Sequence, residues 1–282
     1  MIDLQSSEGI HRFEHHAMNT AFSILAICSD PAVASDAAIA SFERLDRLED
    51  ALSRYREGSD ISQINAMQAG ESLLIQEDTH RCMLRALEAG QVTGGLFDIT
   101  LGTQIEHLKS AAPQPTPPVL GQLSLTPDRP VVECIEAGRQ IDLGGIGKGF
   151  ALDRMSEVLQ NWGIDSALIS SGASTFLAIG GEAWPIELKG EHDTRRIRLA
   201  NGALSASGHA IQGAHLVRPD ASDRLFAGYR HLWLTAHDAA WADALSTACM
   251  LMSTEEIREW QSGSNKADQI YFEHKDGHIA FI

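Results

Sequence analysis

Four glycines and one lysine stand between an apolar run and an amphipathic run in residues 140–159, QIDLGGIGKGFALDRMSEVL. This order of strand, glycine turn and helix directs unpaired main-chain N–H groups and the positive end of the helix dipole toward any anion in front of the turn. The segment is not a Walker A loop, because Gly149 follows Lys148 where that loop needs Ser or Thr. The turn is therefore a candidate phosphate site, and close packing of a helix on a strand is the alternative.

The bulk composition allows a substantial hydrophobic core. With 282 residues, 44% of them hydrophobic and 21% charged, the chain can form one large domain or two closely joined halves. Six prolines fall within residues 111–130, where regular structure is not expected. We predict a single domain over residues 1–282 with an internal seam near residues 111–130.

The net charge, the cysteine pattern and the segment types in the sequence bear on the partners and the location that we expect for the protein. The net charge of −16 disfavours nucleic acid, although it is compatible with one small phosphate ligand accompanied by a divalent cation. The four cysteines are scattered without ligand spacing, which predicts free thiols in a reducing compartment. No segment resembles a signal peptide or reaches the ~18 apolar residues of a transmembrane span, so we expect a cytoplasmic protein.

The hydrophobic pattern predicts an α+β fold. Residues 20–28, TAFSILAIC, are typical of a strand, and apolar residues then recur every three or four positions from Phe42 to Leu52, as in a helix. RQIDL also resembles a strand, whereas HRFEHH resembles a solvated segment without a role. Mainly antiparallel sheets with segregated helices are indicated by the spacing of the short strand candidates SALIS, TFLAIG, AWPIELK, RRIRLA, GALSASG, AHLVRP, YRHLWLTAH, QIYFEH and GHIAFI.

The stretch WADALSTACMLM places Asp243 and Thr247 four residues apart, on one face of a helix. A carboxylate and a hydroxyl that point the same way suit Mg²⁺, which takes one or two protein oxygens together with substrate phosphates. The alternative is structural, with Asp243 complementing the helix N-terminus and Thr247 bonding back to a main-chain carbonyl.

Two further stretches carry candidate polar residues, among them His209 in a glycine-flanked loop and His215 within an apolar run. TGGLFDITLG combines a glycine pair with Phe97 and Asp98, which indicates either a binding loop or a turn in which Phe97 anchors the core and Asp98 caps. SASGHAIQGAHLVRPD contains His209 and His215, each of which is a candidate general base or a structural histidine.

Five segments occur in an order that is typical of one family: MNT, SRYREGSDISQIN, TGGLFDITLG, DLGGIGKGFALD and ADALSTA, over residues 18–248. On these segments the chain resembles the ApbE family of flavin transferases, which move FMN from FAD onto a protein Ser or Thr. The resemblance implies an ApbE-like, T-fold-related α+β architecture. The chain departs from the family pattern at Asn19, at HLVRPDAS in residues 215–222 and at SSGAST in residues 170–175.

The resemblance also implies roles for individual residues. A Mg²⁺ site would use the carboxylate of Asp243, the hydroxyl of Thr247 and the main-chain oxygen of Gly145, with Ser246 as a further donor. Asp243 and the base His215 would be the catalytic residues. The implied FAD contacts are Met18, Tyr55, Leu96, Phe97, Asp98, Asp142, Lys148 and Val217.

The implied reaction depends on Mg²⁺: the hydroxyl of an acceptor protein attacks the FMN-side phosphorus of FAD, and AMP leaves. Two alternatives stay open. A Mg²⁺-dependent FAD pyrophosphatase would use water in place of that hydroxyl. A non-catalytic FAD-binding or flavin-storage protein would keep FAD intact.

Overall fold

The computed structural model describes residues 9–110, 115–208, 228–264, 267 and 269–282. The strands in these residues are β1 (Ile10–Ala17), β2 (Thr20–Ile27), β3 (Ser72–Leu74), β4 (Gln122–Leu125), β5 (Val131–Glu136), β6 (Ser166–Ser171), β7 (Thr175–Ile179), β8 (Trp184–Lys189), β9 (Thr194–Leu199), β10 (Gly202–Gly208), β11 (Tyr229–Ala236), β12 (Gln269–His274) and β13 (Ile279–Phe281). The helices are α1 (Pro31–Leu52), α2 (Asp60–Ala66), α3 (Glu77–Val92), α4 (Gly102–Lys109), α5 (Gly147–Asn161), α6 (Ala239–Cys249) and α7 (Thr254–Ser264).

An eight-stranded antiparallel sheet, in the order β1-β2-β6-β7-β10-β11-β12-β13, forms the centre of the fold. One face packs against α1, α5 and α6. The β8–β9 hairpin covers the other face, where Trp184 and Leu188 pack with Leu168 and Trp233. The prediction of an α+β fold with mainly antiparallel sheets and segregated helices is confirmed.

A two-residue turn starts the main sheet. Met18 and Asn19, with φ of 48° and 59°, connect β1 to β2 in the left-handed region that tight hairpins require. Asparagine adopts this region more readily than most residues, so Asn19 fits the turn. The expectation that HRFEHH is a solvated segment is wrong, because it belongs to β1 and pairs along its length with β2. Only alternate residues of this edge strand, such as Arg12 and Glu14, are exposed.

Two other expectations are corrected around the small sheet β3-β5-β4. Strand β4 lies within residues 111–130, where no regular structure was expected, because residues 119–126 contain no proline and can pair with β5. RQIDL is not a strand, since Gln140 makes only an isolated bridge to Leu101. The main chain of Ile141 bonds instead to the side chain of Asn65, at 2.6 and 3.0 Å. The single domain with a seam stays a prediction.

Candidate active site

Asp243 is fully buried on α6, against the main sheet and the start of α5. Its Oδ2 accepts a hydrogen bond from the N–H of Gly149 at 3.1 Å, and its Oδ1 accepts one from the hydroxyl of Ser205 at 3.2 Å. The N-cap of α6 is Asp238, so Asp243 does not cap its own helix. Each carboxylate oxygen of Asp243 keeps lone-pair capacity for a further partner.

Hydroxyl groups line the space between β10 and α6. Ser205 and Ser207 alternate along β10 and therefore face the same side of the sheet. The Ser246 hydroxyl lies 2.9 Å from that of Ser207 and donates to the main-chain oxygen of Asp243 at 3.0 Å. Thr247 donates to the same oxygen at 3.1 Å, which is the back-bond considered as the structural alternative. Ser246 is fully buried, whereas Thr247 is half-buried and thus more accessible.

The glycine turn approaches α6 closely. A β carbon added to Gly145 would lie 3.4 Å from Thr247 Oγ1 and 3.0 Å from Phe97 Cε2. A β carbon on Gly149 would lie 2.1 Å from the main-chain oxygen of Ala239, which no side chain tolerates. The packing role of these glycines is therefore real, and it brings the main chain of Gly145 next to the hydroxyl of Thr247.

The donor types near this turn are of the kind that suits Mg²⁺. Asp243 and Thr247 offer a carboxylate and a hydroxyl on α6, and the main chain of Gly145 passes beside Thr247. Within the described ranges no group of three or more His, Cys, Asp or Glu residues could hold a metal ion. One carboxylate and one hydroxyl instead suit a hard cation that takes its other ligands from phosphate and water.

A groove of about 170 Å³ opens beside the same turn. Four of the predicted FAD contacts line it together: Met18, Tyr55, Asp142 and Lys148. The groove is also lined by Asn19 and by Gly144 and Gly147 of the glycine turn, which the sequence had singled out, and by residues to which it assigned no site role: Glu49, Leu52, Ser53, Arg54 and Leu143.

The N-terminus of α5 forms part of the groove wall through Gly147 and Lys148. Its N-cap, Ile146, provides no side-chain hydrogen bond. In the part of the chain that the structure describes, the main-chain N–H of Lys148 makes no hydrogen bond, and its ammonium contacts only the carbonyl of Gly144, at 3.3 Å. An open N–H and a cation without a carboxylate partner there favour binding of an anion.

A nearly buried ion pair holds Asp142 at the start of the turn. Its Oδ2 lies 3.0 Å from Nη1 of Arg54, and the two side chains are only 8% and 12% exposed. Its Oδ1 accepts the N–H of Gly144 at 2.7 Å, which fixes the backbone entering the turn. The segment SRYREGSDISQIN contains Arg54, but no local pattern shows that this residue meets Asp142, 88 positions away.

Tyr55 presents its ring at the rim of the groove, where the residue is 64% exposed. Its hydroxyl donates to Glu106 Oε2 at 3.1 Å and accepts from Lys109 Nζ at 3.2 Å. Both partners belong to α4, a helix that the sequence pattern did not predict. An exposed ring that is fixed at its hydroxyl end can stack on a planar ligand.

The other predicted FAD contacts within the described residues, Leu96, Phe97 and Asp98, do not line the groove. Phe97 is buried, while Leu96 is half-buried against the core. Asp98 Oδ1 accepts the N–H of Thr100 at 2.7 Å, so it caps a turn as the structural alternative proposed. The predicted base and the last predicted FAD contact, His215 and Val217, lie outside the described residues, as do His209 and the strand candidate AHLVRP.

The fold is shared with solved structures of flavin transferases. The crystal structure of the ApbE protein from Thermotoga maritima MSB8 matches with a TM-score of 0.80 and 23% identity over 96% of both chains. The apo form of the Pseudomonas stutzeri flavinyl transferase ApbE matches with a TM-score of 0.82 and 20% identity, over 100% of this chain and 96% of that one. Fold, glycine turn and carboxylate helix together define an ApbE-type α+β protein.

The model of the ApbE family matches residues 18–271. The chain belongs to the ApbE family, which confirms the resemblance drawn from the five segments. The FAD:protein FMN transferase of Treponema pallidum (strain Nichols) is 24% identical over 256 residues, which cover 76% of this chain and 70% of that protein. That of Escherichia coli (strain K12) is 21% identical over 249 residues, covering 77% and 71%. None of the described helices is both long and apolar enough to cross a membrane.

Proposed function

We propose that this protein transfers FMN from FAD to a Ser or Thr hydroxyl of an acceptor protein and releases AMP, with Mg²⁺ as the metal. One observation carries the proposal: the turn at residues 142–148 lines the groove and also packs Gly145 against Thr247. The helix terminus that we propose for the phosphate and the hydroxyl that we propose for the cation therefore lie beside one turn. The Treponema pallidum and Escherichia coli relatives are both FAD:protein FMN transferases, which supports FAD as the substrate.

In this proposal the groove binds FAD. Lys148 and the open N–H at the start of α5 bind the pyrophosphate, whose negative charges match these donors. The ring of Tyr55 stacks on a ring system of FAD, while Met18 and Asp142 complete the wall. The further FAD contacts that we propose are Leu96, Phe97, Asp98 and Val217.

Asp243, Thr247 and the main-chain oxygen of Gly145 would hold Mg²⁺, with Ser246 as a further donor. When bound, the ion supplies positive charge that offsets the charge of the pyrophosphate and of the departing phosphate. Asp243 is oriented in advance, because Gly149 and Ser205 each bond to one of its oxygens. Little reorganisation is then needed when a ligand arrives.

The residues of the chain have distinct tasks in the transfer. The acceptor oxygen bonds to the FMN-side phosphorus while the bond from that phosphorus to the bridging oxygen breaks, and AMP leaves with the bridging oxygen. The hydroxyl proton passes to a base, for which we propose His215. Lys148 and the N-terminus of α5 stabilise the charge that develops on AMP.

The proposal is tested by incubating the protein with FAD, MgCl₂ and a candidate acceptor, then measuring the intact mass of the acceptor and the amount of AMP. We expect an FMN adduct and AMP in equal amounts, and neither product with EDTA or with Asp243→Ala. Asp36→Ala, at an exposed position on α1, is the matched control and should behave as wild type.

The same experiment separates the alternatives. AMP without an adduct, formed equally with and without the acceptor, would identify a pyrophosphatase. FAD that stays bound and intact would identify a binding or storage protein. Either result would contradict the transfer reaction.

A further inference from the structure

Helices α5 and α6 each provide a carboxylate that accepts main-chain N–H groups from the first turn of the other helix. Asp153 of α5 accepts hydrogen bonds from Ala239 N–H to Oδ1 at 2.8 Å and from Ala240 N–H to Oδ2 at 2.9 Å, and these are the first two residues of α6. In the opposite direction, Asp243 of α6 accepts the N–H of Gly149, the third residue of α5. The two carboxylates thus take up N–H groups that the helices cannot satisfy within their own backbones.

The role of Asp153 is not duplicated by the N-cap of α6. In the described residues, Oδ1 of Asp238 accepts the N–H of Trp241 at 2.8 Å, Oδ2 pairs with Arg85, and the main-chain oxygen accepts the N–H of Ala242 at 3.1 Å, so none of them serves Ala239 or Ala240. Without Asp153, the buried N–H groups of Ala239 and Ala240 would have no acceptor in the described part of the chain. Buried donors left unpaired are costly, so the helix start would shift to find partners.

A shift of α6 would directly displace residues of the candidate metal site. The contact between the helices is backbone to backbone at Gly149 and Ala239, with no flexible side chain between them to absorb a displacement. The donors Asp243 and Thr247 lie on α6, while the turn that contains Gly145 leads into α5. The relative placement of the three donors therefore depends on how α6 is fixed against α5.

We propose that Asp153 is a positioning residue of the metal site: it fixes α6 on α5 and thereby sets where Asp243 and Thr247 lie relative to Gly145. This inference rests on the proposed function, because it takes these residues as the metal donors. It adds a residue that touches neither metal nor substrate.

The test compares Asp153→Ala and Asp153→Asn with Asp30→Ala. Asp30 also accepts two N–H groups at a helix start, those of Ala32 and Val33 at 2.8 and 3.5 Å, but it caps its own helix α1, which carries none of the metal donors. Binding of Mn²⁺ alone, a paramagnetic replacement for Mg²⁺, is measured by electron paramagnetic resonance on the full chain. Urea unfolding of each variant is measured in parallel.

We expect Asp153→Ala to weaken Mn²⁺ binding about tenfold or more, a loss of the size seen when a group that orients a metal ligand is removed, because α6 carries two of the proposed donors. Asp153→Asn, which keeps the shape and one acceptor, should weaken it less and provides a folded comparison. Asp30→Ala should stay within about twofold of wild type even where it lowers the free energy of unfolding by about 1 kcal/mol. Amide exchange over residues 147–152 should accelerate in the Asp153 variants only.

Unchanged Mn²⁺ affinity in both Asp153 variants would overturn the positioning role, and so would an equal loss in Asp30→Ala. Absence of Mn²⁺ binding by wild type, or full binding by Asp243→Ala, would instead overturn the metal assignment on which the inference rests. The two failures are therefore distinguishable.

Discussion

The N–H of Gly149 donates to Oδ2 of Asp243 at 3.1 Å, across the interface between α5 and α6. At this same residue a β carbon would lie 2.1 Å from the oxygen of Ala239. The last glycine of the turn thus has both a steric and a hydrogen-bonding reason to be glycine. A motif that looks like a phosphate loop also brings the candidate metal carboxylate against the start of α5.

Gly149→Ala should lower the free energy of unfolding by about 3 kcal/mol, because the added methyl overlaps the backbone of α6. Urea denaturation measures this effect. Gly263→Ala on α7, where a β carbon meets nothing within 4 Å, is the control and should be neutral or stabilise by up to about 1 kcal/mol. Equal stability of Gly149→Ala and wild type would contradict the close contact of the two helices.

Lys148→Ala should weaken FAD binding about tenfold, because a charge-assisted contact to the pyrophosphate is lost. Fluorescence titration of FAD with EDTA present measures affinity without turnover. Lys189→Ala, at a side chain that is 61% exposed on β8, should leave the affinity unchanged. The proposed role of Lys148 fails if both variants bind FAD as wild type does.

Arg54→Met should destabilise the protein by about 3–5 kcal/mol, since it leaves the nearly buried carboxylate of Asp142 without its main partner. Adding Asp142→Asn should recover part of this loss, because the unpaired charge is then removed. Arg56→Met is the neighbouring control: its side chain is 49% exposed, and the variant should cost less than about 1 kcal/mol. A loss no larger than that of the control would show that the pair contributes little.

Asp153 should make the stability of the protein depend on pH. Burial raises the pKa of Asp153 from 3.8 to about 7; the carboxylate of Asp238 adds to the rise, while the two N–H bonds and Arg154 oppose it. The folded state therefore holds a proton that the unfolded state has released between about pH 4 and pH 7, so the contribution of Asp153 to stability falls as pH rises through that window. Above the folded pKa its contribution is constant.

The measurement is the difference in unfolding free energy between wild type and Asp153→Asn, from urea denaturation at pH 5, 6, 7 and 8. Wild type should lose about 2–4 kcal/mol relative to the variant between pH 5 and pH 8, with little change above pH 7. A flat difference, or one that rises with pH, would contradict the raised pKa.

Much of the fold followed from local patterns. The apolar spacing from Phe42 to Leu52 located α1, and the helix expected in WADALSTACMLM is α6. Strands β6 to β10 could be recognised from the sequence because each is a short run bounded on both sides by turn residues. The edge strand β1 was missed because its histidines and charged residues hide the alternation, and α4 was missed because its pattern is short and weakly apolar.

Site residues could be predicted where the spacing within a motif fixes the relative positions of its side chains. Asp243 and Thr247 share a helix face by spacing alone, and family resemblance added Tyr55, Met18 and Gly145. Contacts between distant segments could not be predicted, because the local sequence around one residue does not identify its partner elsewhere in the chain. Arg54 with Asp142 and Asp153 with the start of α6 are both of this kind.

The most direct test of the account is the transfer reaction itself, followed as FMN adduct on a candidate acceptor over time with wild type and with Asp243→Asn, which keeps the side-chain shape. With FAD and Mg²⁺, wild type should form the adduct with one AMP per flavin transferred. Asp243→Asn should be slower by about a hundredfold or more while it still binds FAD in EDTA. Transfer by the variant at the wild-type rate, or intact FAD with wild type and acceptor, would contradict the account.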